Sequence, residues 1–211
     1  MIIPAILESS SDLIQEKIDL IAPKVEVIQI DVLDKNYAEG KTLNNIYSLS
    51  DIHFGKTLES HLMSMLIVPY IDVLTRNFNN ICVHIEAEDL NKEQIIYLRQ
   101  RDKRVGISLN ADTDISRLEP YLDIVNYIQF MTTSTPGKQG GDLPDSILAK
   151  ISKFKRIYPE IRVQADGGIN QDNIQKVLQS GVDDVVIGSA IFGSEDPAAS
   201  LENLQTAYGY N

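Results

Sequence analysis

Short runs of β-branched and other apolar residues alternate with longer amphipathic stretches from one end of the chain to the other. The runs predict strands at Ile2–Leu7, Val25–Val32, His53–Leu62, Ile81–Ile85, Arg104–Leu109, Ile124–Met131, Ile161–Ala165 and Asp184–Ile187. The stretches between them predict helices at Ser11–Ala22, Leu43–Leu49, Val68–Asn77, Lys92–Gln100, Ile115–Tyr121, Asp145–Tyr158, Gln171–Ser180 and Pro197–Ala207. Asp114 and Asn170 stand where N-caps belong, and Gly181 stands where a helix should stop. Strict alternation of this kind builds βαβ units on a parallel sheet. Eight of each element predict a single-domain (β/α)8 TIM barrel over residues 1–211 rather than an open dinucleotide-binding sheet, and no G-x-G-x-x-G follows the first strand. Nothing along the chain reads as a linker.

A barrel presents its functional side chains at the C-terminal ends of its strands. Those ends carry Gln29 and Asp31, His61 and Met63, His84 and Glu86, Asn110, Met131, and Asp166. On the second strand Ile28, Ile30 and Val32 are uniformly branched and suit packing against helices, so the alternate set with Gln29 and Asp31 should point inward. Two carboxylates and an imidazole at one mouth, Asp31, Asp166 and His61, suit a divalent ion. His84 reads as a supporting group for that set, and His53 as structural.

Two glycine turns follow consecutive strands near the end of the chain, Asp166-Gly-Gly-Ile169 and Gly188-Ser-Ala-Ile-Phe192. Glycine lets backbone N–H groups close on an anion, and the last two strands are where such a barrel builds its phosphate site. A phosphorylated small molecule is therefore the expected ligand.

Composition narrows the partners. A formal charge of −11 over 211 residues argues against nucleic acid, and it leaves any phosphate to be held by local amides. Absence of an apolar run of membrane length or a secretory signal, with the single Cys82 inside an apolar run, predicts a cytoplasmic protein with an inert buried thiol. Neither nucleic acid nor membrane is expected as a partner, while a homo-oligomer is allowed.

Nine segments in order resemble those of ribulose-phosphate 3-epimerases: Pro4-Ala-Ile-Leu7, Ile30-Asp-Val-Leu-Asp34, Ser60-His-Leu-Met63, Val83-His-Ile-Glu-Ala87, Gly106-Ile-Ser-Leu-Asn110, Met131-Thr, Pro136-Gly, Asp166-Gly-Gly-Ile169 and Gly188-Ser-Ala-Ile-Phe192. The resemblance spans residues 2 to about 197. It implies a (β/α)8 isomerase of carbohydrate metabolism, in the pentose phosphate pathway, that interconverts D-ribulose 5-phosphate and D-xylulose 5-phosphate. It implies Asp31 and Asp166 as the catalytic acid–base pair. It implies a metal site of Asp31, His61 and Asp166 holding Zn, Mn, Co or Fe, and a pocket walled by Met63, Met131 and Ala5. It implies phosphate contacts at Gly137, Gly140, Gly141, Gly167, Gly168, Gly188 and Ser189.

This chain departs from the family pattern at defined places. Gln29 stands where a metal-binding histidine is usual; its carbonyl oxygen can still offer a fourth, poorer ligand, so the ion should be weakly held or absent. Ala5 replaces a serine and Leu33 a methionine. The segment Asp34–Gly40 is rewritten, and the Thr135–Asp142 loop is longer, with Lys138 in it. The departures leave two other functions in view, a ketohexose 6-phosphate 3-epimerase and a catalytically silent barrel that binds a phosphorylated ligand. A decarboxylase or aldolase of the wider barrel group is disfavoured. Those carry Asp-x-Lys-x-x-Asp on one strand, whereas Lys35 here follows Asp34 out of register.

Overall fold

The computed structural model describes residues 1–38, 45–133 and 143–209. Gly137, Lys138, Gly140 and Gly141 lie outside the described residues. Eight strands, all parallel, close into a barrel in sequence order: β1 (Ile2–Ile6), β2 (Val27–Leu33), β3 (Thr57–Met63), β4 (Asn80–His84), β5 (Arg104–Leu109), β6 (Tyr127–Met131), β7 (Arg162–Asp166) and β8 (Asp184–Ile187). Around it lie α1 (Ser11–Ile21), α2 (Ile71–Asn77), α3 (Lys92–Arg99), α4 (Asp145–Ile157), α5 (Ile174–Gln179), α6 (Ser189–Phe192) and α7 (Pro197–Tyr208). Among the described residues no helix is long and apolar enough to cross a membrane.

The outer layer follows from helical periodicity. α1 buries Ile14, Ile18 and Ile21, and α4 buries Ile147, Leu148, Ile151 and Phe154, each set on one stripe. These pack on the outward residues of the strands, Ile28, Ile30 and Val32 among them. Capping sets several boundaries. Ser10 accepts from the Leu13 amide, Asn91 and Gln94 form a capping box on α3, and Gly181 follows α5 with a φ of 94°.

Several elements differ from the pattern-based expectation. Strands begin two to four residues late at β2, β3 and β6. Ile52 and Phe54 are apolar because they lie under the barrel's flank, and they form no ladder. Ile46–Asp51 and Ile115–Tyr121 are 3₁₀ turns; Pro120 in the second removes an amide that an α-helix would use. The Gln171 helix starts only at Ile174, because the Asn170 carboxamide accepts from the Asp172 and Asn173 amides and holds a turn there.

The inward residues are more polar than the outward ones. Gln29, Glu59, His61, Cys82, Ser108, Gln129 and Gln164 are all buried inside the closed sheet. Gly106 makes room among them: a Cβ there would land in the ring of Tyr127, which is itself fully buried. Gly106→Ala should therefore lower stability by about 1–3 kcal/mol through overpacking. Urea unfolding measures it, and a wild-type midpoint would mean the Tyr127 ring is free to move aside.

Candidate active site

Strand register assembles the mouth of the barrel. β2 and β3 pair so that Asp31 lies beside His61 and Leu33 beside Met63. β6 and β7 pair so that Met131 lies beside Asp166. Alternation along each strand then turns Gln29, Asp31, His61, Met131 and Asp166 into one recess. That recess, open to solvent, is walled by Ala5, Asp31, His61, Met63, Met131 and Asp166. The glycine turns close one side through Gly167, Gly168, Gly188 and Ser189. Gly167 and Gly168 have φ of 116° and 68°, a left-handed pair that only glycine adopts without strain. Of the strand-end and turn candidates, Ala5, Asp31, His61, Met63, Met131, Asp166 and the described phosphate-turn residues border this recess, while His84, Glu86 and Asn110 do not. Gln29 touches both carboxylates from within the barrel.

One carboxylate oxygen from each of Asp31 and Asp166 and Nδ1 of His61 lie within 4.8 Å of one another, a set that could hold a metal ion. His61 Nδ1 is 3.3 Å from both carboxylates. Burial works against its cationic form, but hydrogen bonds and charge from Asp166 and Asp31 outweigh it and lift His61 to about 9. Burial, together with the charge of Asp166, pushes Asp31 above the usual carboxylate range against the pull of His61 and Gln29. Gln29 Nε2 donates to Asp31 at 2.8 Å and to Asp166 at 2.9 Å. Its Oε1 is buried and has no hydrogen-bond partner among the described residues. A carboxamide so placed fits a cation site, since its unsatisfied oxygen is a ligand type that divalent ions accept.

Behind His61 runs a chain that fixes its orientation. His61 Nε2 lies 2.8 Å from His84 Nε2, and His84 Nδ1 lies 3.0 Å from Glu86 and 2.8 Å from the Tyr37 hydroxyl. Burial raises Glu86, but hydrogen bonds from His84, Thr113 and the Asn110 amide prevail and hold it at about 2. Burial and the neighbouring His61 bring His84 down to about 4. With Glu86 ionised, Nδ1 of a neutral His84 must donate, so its Nε2 accepts from His61 Nε2–H. That leaves His61 Nδ1 facing the carboxylates, the arrangement a ligand histidine needs.

His84 lies between His61 and Glu86, in the place expected of a supporting group. Gln129, which donates to Asp166 at 2.8 Å, and Tyr37, which also donates to Asn110, had no place in the sequence reading. Gln129 had a signal: it stands two residues before Met131, on the same inward face of β6. Tyr37 had none, since its partners come from β4 and the end of β5. Cys82 is buried beside His61 in the register and burial raises its thiol, in keeping with an inert role.

Comparison with known proteins completes the description. The sequence profile of the Ribulose-phosphate 3 epimerase family matches residues 1–192. The chain is 27% identical to the ribulose-phosphate 3-epimerase of Aquifex aeolicus over 98% of its length and 96% of that protein. It is 28% identical to that of Helicobacter pylori, covering 96% and 95%. Among solved structures it resembles a 3-hexulose-6-phosphate synthase. The TM-score is 0.73 at 20% identity, over 98% of this chain and 98% of that one, a likeness of fold alone.

Proposed function

The chain belongs to the ribulose-phosphate 3-epimerase family, and from that premise we infer an isomerase that interconverts D-ribulose 5-phosphate and D-xylulose 5-phosphate at C3. The observation that carries the reading is the pair Asp31 and Asp166. They come from strands three places apart around the barrel, and each has an oxygen in the same recess. A silent binder would have no use for two acids there.

Epimerisation next to a ketone removes the C3 proton from one face and returns one to the other, so it needs an acid/base group on each side. Asp31 on β2 and Asp166 on β7 take these roles, one as carboxylate base and the other as carboxylic acid, exchanged in the reverse direction. Gln29 and Gln129 hold the Asp166 carboxylate in place through N–H donation, and Gln29 does the same for Asp31. Asp31, His61 and Asp166 would hold a divalent cation (Zn, Mn, Co or Fe), which when bound supplies Lewis-acid stabilisation of the enediolate charge. The thioethers of Met63 and Met131 present polarizable, apolar walls that keep water from the reacting carbons.

The phosphate is assigned to the amides of the turns at Gly168 and Ser189, which a net negative chain must use in place of a basic patch. Gly168→Val puts a β-branched residue at a φ of 68° and moves that turn. The KM for the sugar phosphate should rise by about tenfold, roughly 1.4 kcal/mol, with kcat less affected. Unchanged KM in a folded variant would remove the turn from the phosphate site.

A coupled assay tests the function directly. Ribulose 5-phosphate should be turned over with a higher kcat/KM than allulose 6-phosphate. Preference for the hexulose would shift the substrate to the alternative epimerase, and binding of both without turnover would leave a silent phosphate-binding barrel.

A further inference from the structure

The Gln29 carboxamide carries two features that the acid–base chemistry leaves unused. Its Nε2 bridges Asp31 Oδ1 and Asp166 Oδ2, so its two N–H bonds tie together the carboxylates of the candidate metal site. Its Oε1 is buried and, among the described residues, lacks any hydrogen-bond partner. A buried acceptor left unpaired is unfavourable, whereas the N–H groups are fully used. The amide is thus arranged as a substitute for a cation, with its oxygen held in reserve.

We propose that Gln29 is a reversible latch on the metal site, an inference that rests on reading Asp31, His61 and Asp166 as its ligands. In the metal-free protein the N–H groups hold the two carboxylates together. When a divalent ion enters, the amide turns end for end and Oε1 joins the ligand set. The two ends of a carboxamide have nearly the same shape, so the turn needs no repacking. Lone pairs that accept an N–H cannot serve a cation at the same moment, so amide and ion compete. Compared with an imidazole at this place the amide therefore lowers affinity for every ion, while its oxygen still supplies a ligand that an apolar side chain would lack. Because a carbonyl oxygen is a harder donor than imidazole, it also narrows the margin by which Zn²⁺ outbinds Mn²⁺.

The test uses the full chain stripped of metal and without sugar phosphate. Mn²⁺ binding is followed by electron paramagnetic resonance and Zn²⁺ binding by calorimetry, in wild type, Gln29→His and Gln29→Met. Gln29→His should bind Zn²⁺ at least about tenfold more tightly, with a smaller gain for Mn²⁺. Gln29→Met keeps the length but has neither N–H nor oxygen, and should lose about tenfold in Mn²⁺ affinity. Wild-type Mn²⁺ affinity in Gln29→Met, or an unchanged Zn²⁺/Mn²⁺ ratio in Gln29→His, overturns the latch. Should either variant fail to fold, ¹⁵N-glutamine-labelled wild type gives the answer. The side-chain amide pair protected in the metal-free protein must shift on Zn²⁺ saturation, and a stationary resonance overturns the proposal. These readouts need no substrate, so a protein that fails to turn over ribulose 5-phosphate refutes the functional reading and leaves the latch standing.

Discussion

Replacing either Asp31 or Asp166 with asparagine should reduce epimerisation by at least about 10²–10⁴-fold while a phosphorylated ketose still binds. That range is what a positioned acid/base group contributes to proton transfer. Each substitution exchanges one carboxylate oxygen for an NH₂ group but can keep the oxygen that accepts the glutamine amides. An asparagine oxygen at 166 can still receive the amides of Gln29 and Gln129, and one at 31 can still receive Gln29. The fold and the phosphate turns should therefore survive, and thermal unfolding with calorimetric titration of the sugar phosphate checks both. The two variants should also fail asymmetrically. Each keeps the base for one face, so hydrogen exchange at C3 should persist from one substrate epimer in Asp31→Asn and from the other in Asp166→Asn. Near wild-type turnover in either variant would remove that residue from the chemistry.

The second large effect is expected on removing metal. Stabilisation of enediolate charge by a cation is worth several kcal/mol, and each 1.36 kcal/mol is a factor of ten in rate. Activity should fall by two or more powers of ten after chelation and return on addition of Mn²⁺, Co²⁺ or Zn²⁺. Removal should be easy, because among the described residues the strong donor set is Asp31, His61 and Asp166, and Gln29, beside both carboxylates, is a neutral amide. Metal analysis beside the rate assay decides it. Full activity in a chelated protein shown to contain no metal would mean that His61 and the Gln29 amide carry the charge themselves.

The barrel was legible because its two periods differ so plainly. β5 and β8 fall where the branched runs Val105-Gly-Ile-Ser-Leu109 and Val185-Val-Ile187 place them. Boundaries failed where apolar residues serve another purpose, as with Ile52 and Phe54 ahead of β3, or where side chains captured the backbone, as at Asn170. α6, four residues long, is too short to show any periodicity. At the site, the inward face of β2 could be read from alternation alone, and with it Gln29 and Asp31. The glycine turns announced themselves by composition. What stayed hidden depends on partners far apart in the chain. The order His61, His84, Glu86, Tyr37 joins β3, β4 and the segment after β2, and only closure of the barrel brings them together. The double contact of Gln29 with residues 31 and 166 is of the same kind.

The central claim is that two carboxylates serve opposite faces of C3, and isotope incorporation in the wild-type protein tests it most directly. Ribulose 5-phosphate turned over in D₂O to low conversion should give xylulose 5-phosphate carrying one deuterium at C3 and none at other carbons. The unreacted ribulose 5-phosphate should carry less deuterium than the product. The group that took its proton returns that same proton unless it first exchanges with solvent, whereas the opposite group delivers solvent hydrogen to the product. Product that keeps its original C3 hydrogen, or substrate that exchanges as fast as product forms, would contradict the account.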